Sequence, residues 1–149
     1  MVKNKYMVII NYLRQNAREK LATISRKTGI PVTTIHDQLK ADTFVKKYTA
    51  LLDFEKLGFN AKFLLAVAVS PADKDKLRDF FLKHYRVNSL YAINNGFDFL
   101  AEGIFEQIKE AEEFIGEVEQ NFDIRGKQVH YVVKELKHEH FLSNQHLPC

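Results

Sequence analysis

The sequence of 149 residues predicts an α+β protein, in which an N-terminal module of three helices precedes a unit of the order βαββαβ. Apolar residues recur with helical spacing in three short segments before residue 41, and strand-like and helical segments alternate after it. The charge changes along the chain as well. Residues 1–52 carry ten lysines and arginines against three acids, whereas residues 53–149 carry twelve against sixteen. A basic module joined to an acidic one indicates that the first module meets a polyanion.

The first module is predicted to contain amphipathic helices over residues 5–13, 21–28 and 32–40. Gly29 ends the second helix because glycine accepts the left-handed conformation, and Pro31 suits the first position of the third. A tight turn between two helices is typical of a helix-turn-helix. The apolar positions expected to face inward are Tyr6, Ile9, Ile10, Leu13, Leu21, Ile24, Ile35 and Leu39.

The second module is predicted to have a ferredoxin-like fold, an antiparallel sheet of four strands with two helices on one face. Residues 44–54 are rich in β-formers and predict a strand that links the modules, and we place the boundary between residues 52 and 53. Asn95-Gly96 predicts a hairpin, because its turn requires positive φ angles. Further strands are expected over 61–69, 87–93, 97–105 and 127–135, and helices over 72–85 and 107–120. The helix faces expected to pack inward carry Leu77, Phe80, Phe81 and His84, and Ile108, Ala111, Ile115 and Val118.

The composition narrows the class of protein. No apolar run approaches the roughly 20 residues of a membrane span, and the N-terminus shows no export signal, so we expect a cytoplasmic protein without a membrane partner. The single cysteine, Cys149, excludes an internal disulfide and a cysteine zinc site. It ends a tail that also contains His138, His140 and His146. This tail could hold a soft metal ion, but a disordered or interface tail is the simpler interpretation. No metal site and no cofactor are predicted.

Four segments resemble those of one known family. GIPVTTIHDQL resembles the turn and recognition helix of the Lrp/AsnC transcriptional regulators, YTALLDFEKLG their linker, NGFDFL the hairpin of their sensing domain and HYVVKELK their last strand. The resemblance covers most of residues 5–137. It implies a homodimer, often assembled into tetramers or octamers, that binds double-stranded DNA and responds to an amino acid or related small effector. Residues 1–52 would then bind DNA, and residues 53–149 would bind the effector and form the oligomer.

The third helix would read the DNA with the face opposite its apolar residues. Thr33, Thr34, His36, Asp37 and Lys40 lie on that face. Threonine hydroxyls, imidazole and ammonium groups can contact bases or phosphates, whereas Asp37 should accept from a cytosine amino group or pair with Lys40 or Lys20. The salt-sensitive contacts to phosphate are expected from Arg14, Arg18, Lys20, Arg26 and Lys27. Gln38 stands where the family usually has an arginine, and the helix is followed by a shorter segment that lacks the family's wing glycine.

The effector site is expected in the hairpin loop, at Asn94, Asn95, Gly96 and Asp98. Asp98 would contact the amino group of the effector, or its carboxylate would fix the turn by a hydrogen bond. Two other functions fit the same fold. One is a sensor or assembly protein that has lost DNA binding, and the other is an enzyme, since siroheme decarboxylases are similar in both domains. The basic and histidine residues that would line their anionic substrate are not evident here, so we expect no enzyme.

Overall fold

A computed structural model describes residues 2–41 and 44–143, and of residues 2–4 it describes the backbone. The chain forms two compact units. The first contains the chain up to Leu51 together with the segment that starts at Leu136, and the second is Leu52–Glu135. The C-terminal segment therefore packs with the helical unit, whereas the sequence analysis assigned it to the ferredoxin-like module. Hydrogen bonds from Arg14 to Glu139 and Phe141 hold it there.

The first unit contains the three expected helices, α1 (Val2–Gln15), α2 (Leu21–Thr28) and α3 (Val32–Lys40). The predicted bounds of α2 and α3 are confirmed, and α1 extends further at both ends. Pro31 is the residue before α3 rather than its first. The buried apolar side chains among the described residues of this unit are the isoleucines Ile9, Ile24, Ile30 and Ile35, and Ile30 joins them because the turn after α2 brings it inward.

The linker is not a strand, and the prediction for residues 44–54 was wrong in this respect. The sheet contains four strands, all of them between residues 61 and 131 of the described chain. High β-propensity reflects how well a side chain suits a pleated, half-buried surface, and it produces a strand only where a neighbouring strand is available. Leu51 and Leu52 of the linker are instead 62% and 55% exposed.

The second unit has the predicted order βαββαβ. Its elements are β1 (Ala61–Val69), α4 (Lys74–Lys83), β2 (Val87–Ala92), β3 (Phe99–Phe105), α5 (Ile108–Asn121) and β4 (Ile124–Tyr131). The strands lie in the order β2-β3-β1-β4 and all pairs are antiparallel, which confirms the ferredoxin-like fold. β4 begins and ends earlier than predicted, because Ile124 already pairs with Val69, and Val133 beyond it is 94% exposed.

The core of the second unit lies between one face of the sheet and the two helices. Phe63, Leu65 and Val67 alternate along β1 and are fully buried on that face. The inward face of α4 was predicted correctly, but that of α5 was not. Ile108 lies in the first turn and is 57% exposed, whereas Phe114 is buried between Ala111 and Val118 at the helical spacing.

The helices are short. The two longest in the described part of the chain, α1 and α5, have 14 residues each, and none of those described is long and apolar enough to cross a membrane.

Candidate nucleic-acid interface and effector turn

The turn between α2 and α3 is closed by three hydrogen bonds. Gly29 has a φ of 72°, and its N–H donates to the Ser25 carbonyl at 2.8 Å. The Thr28 hydroxyl donates to the Ile24 carbonyl at 2.7 Å and accepts from the Ile30 N–H at 3.2 Å. These bonds satisfy the end of α2 and direct Ile30 into the core, so that the start of α3 is held in place.

The predicted reading face of α3 is polar and open. Ile35 is fully buried and Leu39 is packed against the same core, which leaves the opposite side of the helix to solvent. Thr33, His36, Asp37 and Lys40 are exposed there, and Thr34 is half-buried. The arrangement presents hydroxyl, imidazole, carboxylate and ammonium groups along one helix, as direct readout of bases requires.

Asp37 has a different partner from the one that the sequence suggested. Its Oδ1 lies 3.5 Å from Nδ1 of His36, whereas Lys40 or Lys20 was expected. His36 and Asp37 follow each other on an exposed helix surface, and their side chains are 63% and 81% exposed. A long ion pair in water contributes little to stability, so both groups can turn towards a ligand.

Gln38 is oriented differently from its neighbours. Its Oε1 is buried and finds no hydrogen-bond partner among the described residues. This carbonyl oxygen is therefore not presented to a groove. The Lrp/AsnC regulators that the sequence resembles usually have an arginine at this position, so the cation that they present there is absent from this protein.

All five cations expected to contact phosphate are exposed: Arg14, Arg18, Lys20, Arg26 and Lys27. The ammonium of Lys27 lies 5.5 Å from the centre of the Tyr12 ring, close enough for a cation–π contact that restrains its stem. Arg14 differs from the other four, because its guanidinium donates to Glu139 and Phe141. No local sequence pattern predicts that contact, since the partners are 125 and 127 residues away.

The hairpin between β2 and β3 has the predicted turn. Asn95 and Gly96 both have positive φ angles, 63° and 91°, and Ile93 donates to the carbonyl of Asp98 at 3.0 Å. Asn94, Asn95 and Gly96 are exposed. The tip of the turn therefore offers two carboxamides and open backbone groups.

The Asp98 side chain is held by the two elements beside the turn. Its Oδ2 accepts from the Val69 N–H at 2.9 Å, and its Oδ1 lies 3.3 Å from the Lys74 ammonium. The N–H of Val69 and, to a smaller extent, Lys74 hold the pKa of the Asp98 carboxyl below its ordinary value, against the opposing effect of burial. Both oxygens thus have partners within the unit, which agrees with the expectation that the carboxylate fixes the turn.

The described residues contain no group of three or more His, Cys, Asp or Glu side chains that could hold a metal ion. His138 and His140 lie in the C-terminal segment of the first unit. His146 and Cys149, the other members of the tail considered above, lie outside the described residues.

The fold defines a class of protein: a helix-turn-helix unit followed by a ferredoxin-like unit. No family model matches the sequence. The HTH-type transcriptional regulator FL11 of Pyrococcus furiosus is 24% identical over 132 residues, which cover 87% of each chain. The uncharacterised HTH-type transcriptional regulator PH1916 of Pyrococcus horikoshii is 27% identical over 89 residues, and this match spans 58% of the present chain and 59% of that protein.

Solved structures show the same fold over nearly the whole chain. The transcriptional regulator NMB0573 of Neisseria meningitidis, determined as a complex with L-Met, superposes with a TM-score of 0.80 at 22% identity, covering 89% of this chain and 90% of that one. AsnC of E. coli superposes with a TM-score of 0.77 at 15% identity, covering 89% and 92%. These comparisons confirm the resemblance to Lrp/AsnC regulators that the sequence motifs indicated.

Proposed function

We propose that this protein is a sequence-specific DNA-binding transcriptional regulator that responds to an amino acid or a related small effector. The observation that carries the proposal is the exposed polar face of α3, held by the Gly29 turn over a core of isoleucines. Such a helix fits the major groove and can reach base edges with its first turns. The regulator names of FL11 and PH1916 support the same function.

The contacts divide into two groups. Thr33, Thr34, His36 and Lys40 contact bases and the nearest phosphates, because they lie on the open face of α3. Arg18, Lys20, Arg26 and Lys27 neutralise phosphates and supply the part of the affinity that does not depend on sequence. Asp37 sets specificity by accepting from a cytosine amino group or by repelling unsuitable sites.

The protein binds DNA as a homodimer that pairs through the open face of the sheet. On that face Ala66, Leu100 and Tyr91 are neighbours across three strands, and Leu64 lies beside them. Tyr91 is 58% exposed and Leu64 and Leu100 are half-buried, so a second copy of the face would bury apolar surface. A twofold pair matches a pseudo-palindromic site, and further association would give the tetramer or octamer that the resemblance implies.

The effector binds at the hairpin turn, where Asn94, Asn95 and Gly96 are exposed. Carboxamide and backbone groups can bind the carboxylate and ammonium of an amino acid. The complex of NMB0573 with L-Met supports this class of effector. Asp98 keeps the turn in position for it through Val69 and Lys74.

Selection of bound fragments from genomic DNA, with and without a panel of amino acids, tests the proposal. We expect a twofold site and a log affinity that falls linearly with log salt. Lys40→Ala should weaken binding, while Lys109→Ala, which removes an exposed lysine of α5, should leave it unchanged. Equal binding to every duplex, or none, would contradict the proposal.

A sensor or assembly protein without DNA binding is the second candidate. Three features of the first unit favour it: Asp37 is exposed on the reading helix, the Gln38 carbonyl is buried, and Arg14 is engaged elsewhere. Measuring DNA affinity at increasing salt distinguishes the two functions, because the sensor would bind an amino acid and show no salt-dependent affinity for DNA.

A further inference from the structure

The guanidinium of Arg14 is occupied by the C-terminal segment, defined here as residues 138–143. Nε donates to the Phe141 carbonyl at 3.0 Å, and Nη2 donates to the Glu139 carbonyl at 2.9 Å. Nη1 and Nη2 both donate to Oε2 of Glu139 at 3.2 Å. Two backbone carbonyls and one carboxylate therefore engage all three nitrogens, a more specific arrangement than a single surface ion pair.

The conformation of the segment fits this contact. Glu139 and Leu142 have positive φ angles of 52° and 58°, which residues with a side chain rarely adopt. The turn is closed by Ser143, whose N–H and hydroxyl both donate to the carbonyl of His140, at 3.1 and 2.6 Å. Unfavourable backbone angles persist where surrounding contacts hold them, and Arg14 provides such contacts at Glu139 and Phe141.

Arg14 also belongs to the basic end of the helix-turn-helix. It lies in the last turn of α1, directly before the loop that carries Arg18 and Lys20. An arginine at this position would otherwise be available to a DNA phosphate. The docked segment brings the Glu139 carboxylate to it instead, which both occupies its donors and cancels its charge.

We propose that the C-terminal segment is an autoinhibitory element, which docks on Arg14 and lowers the affinity of the helix-turn-helix for DNA. The inference rests on the proposed DNA binding. A phosphate and the Glu139 carboxylate compete for the same donors, so that undocking adds one cation to the DNA contacts.

The test compares full-length variants in a salt titration of DNA binding. Glu139→Gln should tighten binding by roughly threefold at low salt and steepen the log–log slope by up to about 0.9, the value for one added phosphate contact. Glu113→Gln removes one exposed acid from α5 and serves as the control for net charge. The double variant Arg14→Gln/Glu139→Gln should lose the increase in DNA affinity that Glu139→Gln alone produces.

Hydrogen exchange without DNA measures docking separately. The Ser143 N–H, which donates to the His140 carbonyl in the docked turn, should be protected in the wild type and exchange faster in Arg14→Gln. A fast-exchanging Ser143 N–H in the wild type, or unchanged DNA binding in Glu139→Gln, would overturn this inference while leaving the proposed function intact. Absence of DNA binding in every variant would overturn both, and in that case exchange alone would report whether the segment docks.

Discussion

The Asp98 carboxylate lies where β1, α4 and the hairpin turn meet. It accepts from the Val69 N–H and pairs with Lys74, and the backbone N–H of Asp98 donates to the Val67 carbonyl at 2.7 Å. A carboxylate in this arrangement joins the turn to the sheet. Its first role is therefore structural, because it holds the turn at which we propose that the effector binds.

We predict that Asp98→Asn lowers the free energy of unfolding by about 1–3 kcal/mol at neutral pH, because it removes a charged acceptor from a backbone N–H. The folded-state pKa of Asp98 is lower than its ordinary value of 3.8, so its stabilisation is complete above that value and is lost as the pH falls through the folded-state pKa. Urea unfolding should show the two proteins converging in acid. Asp79→Asn, on the surface of α4, is the control and should have little effect. Full stability with loss of the effector response would instead show that Asp98 contacts the effector.

His84, at the end of α4, lies among aromatic rings. Its ring centre is 4.7 Å from that of Phe114 and 5.2 Å from that of Tyr85, and its Nδ1 accepts from the Arg86 N–H at 3.2 Å. Burial lowers the pKa of His84 most, Arg86 lowers it further, and Glu117 opposes both. The fold thus favours the neutral imidazole.

We expect His84 to make stability depend on pH in mildly acidic solution. Because its folded-state pKa lies below 6.5, its contribution is present above that pH and decreases as the pH falls towards the folded-state value. His84→Asn keeps an acceptor and cannot titrate, so its unfolding midpoint should vary less between about pH 5 and 7. His36→Asn, which alters an exposed histidine of α3, should retain the wild-type dependence. A variant with the wild-type pH profile would exclude His84 as the source.

At the scale of the elements, the sheet depends on one close approach to a glycine. A Cβ at Gly103 of β3 would lie 2.6 Å from Cζ of Phe63 and 2.8 Å from Cε2 of Phe105. The Phe63 ring stacks on Phe105, with 5.4 Å between centres, and occupies the space that a side chain would need. The absence of a side chain at residue 103 is thus what permits this aromatic packing.

Gly103→Ala should therefore destabilise the second unit, by about 1–3 kcal/mol or more, since the buried Phe63 ring must move. The matched control is Gly126→Ala in β4, where the added Cβ would meet only the Ala68 Cβ at 3.8 Å, an ordinary contact. This change should be nearly neutral, or slightly stabilising through the unfolded chain. Comparison of urea midpoints checks both substitutions. Equal midpoints would show that the rings adjust without cost.

The linker shows that a strand-like composition alone does not produce a strand. Residues 44–54 have the composition of a strand, yet they pair with none of the four described strands. Phe44 of this segment lies instead near α1, with its ring centre 5.4 Å from that of Tyr6. Composition predicts which residues suit a sheet, whereas the available neighbours decide whether a sheet forms.

At the scale of the whole molecule, the proposed dimerisation through the open sheet face links DNA binding to the response to an effector. Leu64 lies on that face, between Glu102 and His130 across the sheet. A carboxylate placed there would be buried next to the Glu102 carboxylate at a face-to-face interface, which is strongly unfavourable.

Leu64→Asp should convert the dimer to a monomer and reduce the affinity for a twofold DNA site. Light scattering after gel filtration gives the mass, and circular dichroism confirms that the variant is folded. Leu82→Asp makes the same change at a residue of α4 that is 65% exposed, and it should leave the mass unchanged. A folded Leu64→Asp protein with the wild-type mass would rule out this face as the interface.

The sequence by itself determined the helices, the four strands of the sheet, their order and the hairpin turn, although it also predicted a strand over residues 44–54 that does not form. These features depend on local rules: apolar periodicity for α2 and α3, the conformational freedom of Gly29, and the positive φ angles at Asn95 and Gly96. The exposed face of α3 followed from the same periodicity, since burying Ile35 requires the opposite side to face solvent.

The tertiary structure alone decided the contacts between residues distant in sequence. It paired Asp98 with Val69 and Lys74, turned the Gln38 carbonyl inward and placed Phe114 rather than Ile108 in the core. It also brought Glu139 to Arg14 across 125 residues. Periodicity specifies the face on which a side chain lies, but its partner depends on how separate elements pack, which no local pattern contains.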